Sequence, residues 1–368
     1  MTIWSSLAGA EGPVSLLQRD ISSGRVAHAY MFGGGAGRLP MDVAVAFGGA
    51  LVCTDGGCGK CEACIRVLHH AHPDVEIVEP AGMQLLVEQV RDAIRASSRR
   101  PVAGAKRVII VDGADRMNPT AQNAFLKALE EPPPSTTIVL IAPSPDALLE
   151  TVRSRCREIG FRAPPPAEIA KLLESQGVAP DRARFSARVG GDLDRATTLA
   201  RDPIARQLRD AIVSRALVDL PDPGAALEAA EWLAAQTKDI KDHVASEHRA
   251  QRDAFKDWIK ETKAVADQRL RREQRRAEQD ALEASVDDIA SVLRDLLVLV
   301  RDPSAPLLNE EARDVLVERV RSLGPGAEPR IIGALSDIEH ARRRLRANAN
   351  VLLTLEDIFL SLFRALHR

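Results

Sequence analysis

An α/β domain built on a mostly parallel sheet with helices on both faces, followed by an all-helical region, is the fold predicted for this chain of 368 residues. Three observations predict it. Val108-Ile-Ile-Val111 and Ile138-Val-Leu-Ile141 are short runs rich in β-branched residues and bounded by turn formers, as buried strands are. A helix-patterned stretch separates them, and strands alternating with helices imply parallel pairing with both faces covered. Beyond the stiff Ala163-Pro-Pro-Pro166 the chain shows helical periodicity and no convincing strand.

The helix between the strands opens at Asn118-Pro119, a cap and first-turn pair. Ala121, Ala124, Phe125, Ala128 and Leu129 then recur at helical spacing until Pro132-Pro-Pro134 stops it. Glu168 to Ala200 reads as a group of short helices, with Gly190-Gly191 between two of them. From Pro203 the period lengthens into helices over Ala225 to Ala284, Ile289 to Val300, Glu310 to Leu323 and Arg330 to Leu366. Arg269-Leu-Arg-Arg-Glu-Gln-Arg-Arg276 is dense in charge. Nearby Glu and Asp and the lack of aromatic neighbours predict a solvated helix face rather than a nucleic-acid surface. Val351 to Phe363 carries more apolar residues than one helix stripe requires, which predicts partner helices and makes the region after Pro203 the expected assembly domain.

A chain of this length is too long for one compact core, so two or three domains are expected. Hydrophobic residues at 45% and charged ones at 28% suit a globular protein. The net charge of -2 gives no global attraction to nucleic acid, which would need a local patch or other subunits. Residues 1–11 have no positive segment followed by an apolar run, and nothing approaches the ~20 apolar residues of a membrane span. A cytoplasmic protein with no membrane contact is expected.

The chemistry begins at His28-Ala-Tyr-Met-Phe-Gly33-Gly34-Gly35-Ala36-Gly37-Arg38-Leu39-Pro40-Met41. A glycine-rich turn opening a helix suits phosphate, but a working loop needs a Lys and then a Ser or Thr after its last Gly. Those places read Leu39, Pro40 and Met41. Pro40 has no N–H to donate and Met41 offers no hard oxygen to Mg²⁺. The loop is built like that of an ATPase and lacks its working parts.

Cys53, Cys58, Cys61 and Cys64 are spaced C-x4-C-x2-C-x2-C, with a small residue in Cys58-Gly-Lys-Cys61 where the backbone must turn around a metal. Four thiolates can close a tetrahedral Zn²⁺ site with no position left for substrate, which makes the site structural. An iron–sulfur cluster is the competing cofactor, although the plant-type spacing takes its fourth Cys from far downstream, where only Cys156 stands. His69, His70 and His72 read as loop or surface residues, and Cys156 as a small buried hydrophobe.

Together these features resemble the clamp-loader branch of the AAA+ family, whose subunits open sliding clamps for bacterial DNA polymerase III. The residues carrying the resemblance are His28-Ala-Tyr, the inserted cysteine cluster, Val108-Ile-Ile-Val-Asp112, Asn123-Ala-Phe-Leu-Lys-Ala-Leu-Glu-Glu-Pro-Pro133 and Ser154-Arg-Cys156. The resemblance implies an AAA+ core over residues 1–163 with a zinc module at 53–64, a small helical lid over 164–202, and a helical collar over 203–368. It also implies a degenerate nucleotide site at Gly34, Gly37, Pro40, Met41, Asp112 and Gly113. The Asp-Glu pair of active motors reads Asp112-Gly113, the first sensor falls on Ala142 or Pro143, and the second on Gly191-Asp192-Leu193-Asp194. Arg155 is retained, the position that in this family reaches into a neighbour's ATP site. The implied function is a non-hydrolysing subunit that completes an ATPase ring and supplies an arginine in trans. Its implied partners are gamma/tau ATPases, the delta subunit, the sliding clamp and primer-template DNA. A gamma/tau-like ATPase with an unorthodox loop, and an iron–sulfur or redox protein, are the alternatives.

Overall fold

The computed structural model describes residues 2–5, 7–35, 37–80, 84–130, 133–217, 220–254, 263–324, 326–346 and 349–367. The chain divides into two compact units, Met1–Ala196 with Arg252–Thr262, and Thr197–Gln251 with Lys263–Arg368.

The first unit runs α1 (Glu11–Ser22), β1 (Ala29–Gly34), α2 (Leu39–Val52), α3 (Glu62–Leu68), β2 (Val75–Val78), α4 (Val87–Ser97), β3 (Arg107–Val111), α5 (Pro119–Glu130), β4 (Thr136–Ala142), α6 (Glu150–Arg153) and β5 (Arg157–Phe161). Then come α7 (Pro166–Ser175), α8 (Pro180–Gly190) and the start of α9 (Leu193–Arg201). The five strands are all parallel, in the order β2-β3-β4-β1-β5. The two predicted strands are the cores of β3 and β4.

Their continuous apolar character has a physical cause: each face of the sheet lies on its own core. Phe32, Val108, Ile110, Val139 and Ile141 face the core shared with α2, while Met31, Ile109, Val111, Ile138 and Leu140 face the one shared with α4 and α5. α2 is apolar all round because it is enclosed on both sides. A Cβ on Gly48 would lie 3.2 Å from Val75, and one on Gly49 would overlap Ile3. Asn118 caps α5 as expected, its Oδ1 accepting the Ala121 N–H at 2.9 Å. α5 ends at Glu130; Glu131 and Pro132 of the motif lie outside the described residues.

Tyr30 gives the His28-Ala-Tyr motif a structural reason. Its ring is fully buried edge-on to Phe47, and its hydroxyl donates to Asp20 on α1 at 2.9 Å while accepting the Ala27 N–H at 3.0 Å. Burial pushes the phenol up to about 12. Asp20 also pairs with Arg157 of β5 at 2.8 Å, so one buried carboxylate ties α1 to the sheet.

The second unit contains the rest of α9, then α10 (Pro203–Leu217), α11 (Pro223–Ala254) as far as Gln251, α12 (Lys263–Arg301), α13 (Arg313–Leu323), α14 (Ala327–Arg346) and α15 (Val351–Leu366) around one core. Two expectations need correction. Ile289 to Val300 is the end of the 39-residue α12 and no separate helix. No Gly or Pro interrupts Ala284 to Ile289, and Ser285 satisfies its hydroxyl on the Ala281 carbonyl at 2.8 Å. Arg330 to Leu366 is two helices, because Asn350 caps a new one by accepting the Leu353 N–H at 3.1 Å.

The apolar surplus of α15 is taken up within this unit: Leu355, Ile358, Phe359 and Leu362 are core residues, and only Val351 and Leu353 among its large apolar residues are exposed. Arg271 and Arg275 of the charge-dense stretch are exposed on α12; the side chains of Arg269, Arg272, Glu273 and Arg276 lie outside the described residues. Buried Asp295 fixes the 308–309 turn, accepting the N–H groups of Leu308 at 2.9 Å and Asn309 at 2.7 Å.

Candidate functional site: a glycine turn, an arginine and a cysteine cluster

Gly34 at the end of β1, then Gly35 and Gly37 before α2, lie at the carboxyl edge of the parallel sheet, where such sheets place their ligands. Gly34 takes φ +74°, and a Cβ there would sit 2.8 Å from the Phe161 carbonyl oxygen. Leu39, Pro40 and Met41 form the first turn of α2 with their side chains buried. Leu39 and Met41 belong to the hydrophobic core beside Phe161, and Pro40 packs beneath Gly35. All three side chains are thus absorbed into packing.

Asp112 and Gly113 lie at the same edge, past β3. The Asp112 N–H is spent on the Val78 carbonyl at 2.9 Å, and Gly113 turns the chain at φ +62° into Ala114–Arg116. At the end of β4, Ala142 is buried and the following Pro143 exposed, and neither side chain brings a polar group. Asp115 accepts the Ser144 N–H at 3.2 Å, and burial holds its carboxyl above the usual range.

The turn is approached from the start of α9. Asp192 caps that helix, its Oδ1 accepting the Arg195 N–H at 2.9 Å. Asp194 accepts the Arg38 N–H at the head of α2. A Cβ on Gly37 would lie 2.5 Å from Asp194 Oδ2 and 2.9 Å from Asp192 Oδ1. Burial, with the Asp194 charge as a further contribution, raises the Asp192 carboxyl above its ordinary range.

Ser154-Arg155-Cys156 occupies the turn between α6 and β5. Arg155 donates to the Thr151 carbonyl at 2.8 Å and pairs with Glu130 at the end of α5 at 2.7 Å, with side-chain exposures of 36% and 49%. An ion pair this exposed holds its partners weakly, so the guanidinium can reach outward at little cost. Burial pushes the Cys156 thiol up to about 12, in keeping with a packing role.

Two residues support the α6 region in roles that the sequence does not announce. Glu130 is one. Gln122 is the other: its Nε2 donates to the Met117 and Ala147 carbonyls at 3.0 and 3.2 Å, and its Oε1 accepts the Leu149 N–H at 2.7 Å, joining α5 to the entry of α6. The available signal is an amide beside the apolar stripe of Ala121 and Phe125. Gln122→Ala strands these backbone groups, with an expected loss of about 1–3 kcal/mol. Denaturant unfolding checks it, as a lower midpoint at unchanged slope.

The four cysteines converge. Their Sγ atoms all lie within 4.8 Å of one another. Cys53 follows α2 directly; Cys61 caps α3 and accepts the Cys64 N–H at 3.5 Å. The intervening loop is pinned by the Ile3 N–H on the Gly57 carbonyl at 3.0 Å, and a Cβ on Gly57 would lie 2.7 Å from Ile3. Burial opposes ionisation of Cys53, yet N–H groups of Cys58, Gly57 and Asp55 outweigh it and bring the thiol down to about 6. Backbone N–H groups of Lys60 and Cys61 lower Cys58, while burial raises Cys61 and Cys64. Four convergent soft donors, two of them poised to ionise, suit a tetrahedral metal of the zinc type. His72, expected as a loop or surface residue, is in a loop but buried, and its Nδ1 accepts the Asp74 N–H at 3.1 Å.

Residues 9–165 match the family model described as "DNA polymerase III, delta subunit". A DNA polymerase III subunit delta' from Bacillus subtilis is 33% identical over 192 residues, 51% of this chain and 58% of that protein. A DNA polymerase III subunit gamma/tau from Mycobacterium tuberculosis is 30% identical over 222 residues, 57% of this chain and 38% of that protein. The chain thus spans about half the length of the curated relatives it matches. Among solved structures, a DNA polymerase III gamma subunit-related protein from Thermotoga maritima aligns over 96% of this chain and 99% of its own, at 16% identity and a TM-score of 0.48. No helix among the described residues is long and apolar enough to cross a membrane.

Proposed function

We propose that this chain is a non-hydrolysing subunit of a DNA polymerase III clamp loader of the delta-prime kind, a reading supported by the match of residues 9–165 to the delta-subunit family model and by the likeness to a subunit delta'. It completes a ring of gamma/tau-type ATPases with a delta subunit, supplies Arg155 in trans, and through the assembled ring places the sliding clamp on primer-template DNA in the cytoplasm. In this reading residues 1–163 are the AAA+ core with its module at 53–64, residues 164–202 the lid and residues 203–368 the collar that holds the ring together. Zinc on Cys53, Cys58, Cys61 and Cys64 fixes the loop after α2 and takes no part in chemistry.

One observation carries the proposal. Leu39, Pro40 and Met41 are buried where an ATPase would present a Lys and a hydroxyl, so the turn cannot gather the charge-assisted contacts that hold a triphosphate. A gamma/tau-like ATPase would need those contacts from elsewhere, and Asp112-Gly113 and Ala142-Pro143 offer no substitute.

The purified chain is expected to turn over no ATP and to bind Mg·ATP too weakly for saturation at millimolar nucleotide. Radiolabelled ATP with thin-layer separation measures the first and equilibrium dialysis the second. Steady turnover that disappears in Asp112→Asn would place a working site on this chain and end the proposal.

A further inference from the structure

We propose that Asp194 is a resident anion, seated in the cradle of the glycine turn where a phosphate would lie, and that it latches the start of α9 to the head of α2. The inference goes beyond the proposed function. Loss of the Lys and the hydroxyl accounts for absent hydrolysis whether or not Asp194 is seated.

The turn has lost its side-chain chemistry but kept its backbone chemistry. Gly35 and Gly37 hold φ +79° and +72°, the left-handed backbone found in concave anion-binding turns. α2 adds the positive end of a 14-residue helix, with no capping side chain of its own. Such a concavity attracts an anion, and the chain provides one from 156 residues away: Arg38 N–H donates to Asp194 Oδ2. Gly37 then has a steric reason as well, because any side chain there would displace this oxygen.

Asp192 adds selectivity. It is committed as the cap of α9, and its Oδ1 lies on the same side of Gly37. A phosphate entering the turn would have to expel Asp194 and sit beside a second carboxylate. Two carboxylates at such range repel a third anion. The latch therefore closes the cradle and joins residues 191–196 to the sheet edge with one charge-assisted hydrogen bond.

Removing the carboxylate should uncover the anion site. The full chain, wild type and with Asp194→Ala or Asp194→Asn, is titrated with inorganic pyrophosphate without Mg²⁺, and amide hydrogen exchange is followed at Arg38 and through α9. In Asp194→Ala the Arg38 amide is expected to exchange about tenfold faster, with α9 following, because the closed state has lost its bond. Millimolar pyrophosphate should bind this variant and slow the Arg38 amide again, while leaving wild type untouched. Asp194→Asn, isosteric and uncharged, should fall between and carries the test if the alanine variant folds poorly. Unchanged exchange in both variants would overturn the latch, as would pyrophosphate binding equally well to wild type. Neither result would touch the absence of ATP turnover, so failure here is distinguishable from failure of the clamp-loader reading.

Discussion

Arg155→Ala is expected to leave the assembled complex intact and to slow hydrolysis at one neighbouring ATP site. An arginine delivered in trans neutralises charge on the transferring phosphoryl group, and such a finger is worth ~10³–10⁵ in rate, about 4–7 kcal/mol of barrier. Total ATPase should fall by that site's share only, whereas clamp loading should fall further if the sites act in sequence around the ring. The structure adds a reason to expect an effect on rate and not on folding. Arg155 is tied to its own chain by the Thr151 carbonyl, the Ser154 hydroxyl and the exposed Glu130, contacts whose loss costs little. Lys at this position should rescue poorly, because it restores the charge without the planar fork. DNA-stimulated ATPase and clamp loading at equal complex concentration are the measurements.

The second large effect is on stability. Elemental analysis of protein purified without added metal should find one zinc per chain, and Cys61→Ser should lose it. Cys61 contributes one of the four converging sulfurs, and Ser, itself a good N-cap, keeps the start of α3 satisfied, so the variant isolates the loss of the metal site. Removal of a structural metal belongs with the few changes that cost about 4 kcal/mol or more. At roughly 2–4 °C per kcal/mol for a unit of this size, the melting temperature should drop by about 8–16 °C.

The pH dependence follows from the thiols. Bound metal requires all of them deprotonated, so the bound state carries fewer protons and acid works against it. Cys53, lowered to about 6, ionises readily, but Cys61 and Cys64 are held above their usual range by burial. Zinc affinity should therefore fall steeply as pH decreases, and the stability contributed by zinc should be lost in the same direction. Release of zinc to a chromogenic chelator across a pH series measures this. Iron with visible absorbance would replace zinc by a cluster, and no metal at all would remove the site.

Much of the first unit was legible for a simple reason. β3 and β4 lie at the middle of a sheet with a core on each face, so nearly every residue in them must be apolar, and Val108 to Val111 shows it. β5, at the edge, reads Arg157-Glu-Ile-Gly-Phe161 and carries no such run. The cysteine cluster was legible because four ligands within twelve residues need little tertiary structure to meet. What stayed hidden depends on partners far away in sequence. The resemblance brings Asp194 toward the glycine turn as part of the second sensor, but nothing local announces its bond to Arg38, nothing around Gln122 that its amide meets Ala147 and Leu149, and His72 is buried only because the loop before β2 folds inward. In the second unit helical period was visible, but breaks between helices depend on single caps such as Asn350, which weigh little against a long amphipathic pattern.

The central claim is that a chain without a nucleotide site of its own completes a neighbour's. A single-turnover experiment on the assembled complex tests it most directly: load labelled ATP, count bound nucleotide, add primed DNA with clamp, and follow the hydrolysis burst with wild-type and Arg155→Ala chain. The account predicts equal nucleotide bound in both complexes and a burst reduced in the variant by the share of one site. A full burst in the variant, or nucleotide lost in step with hydrolysis, would contradict it.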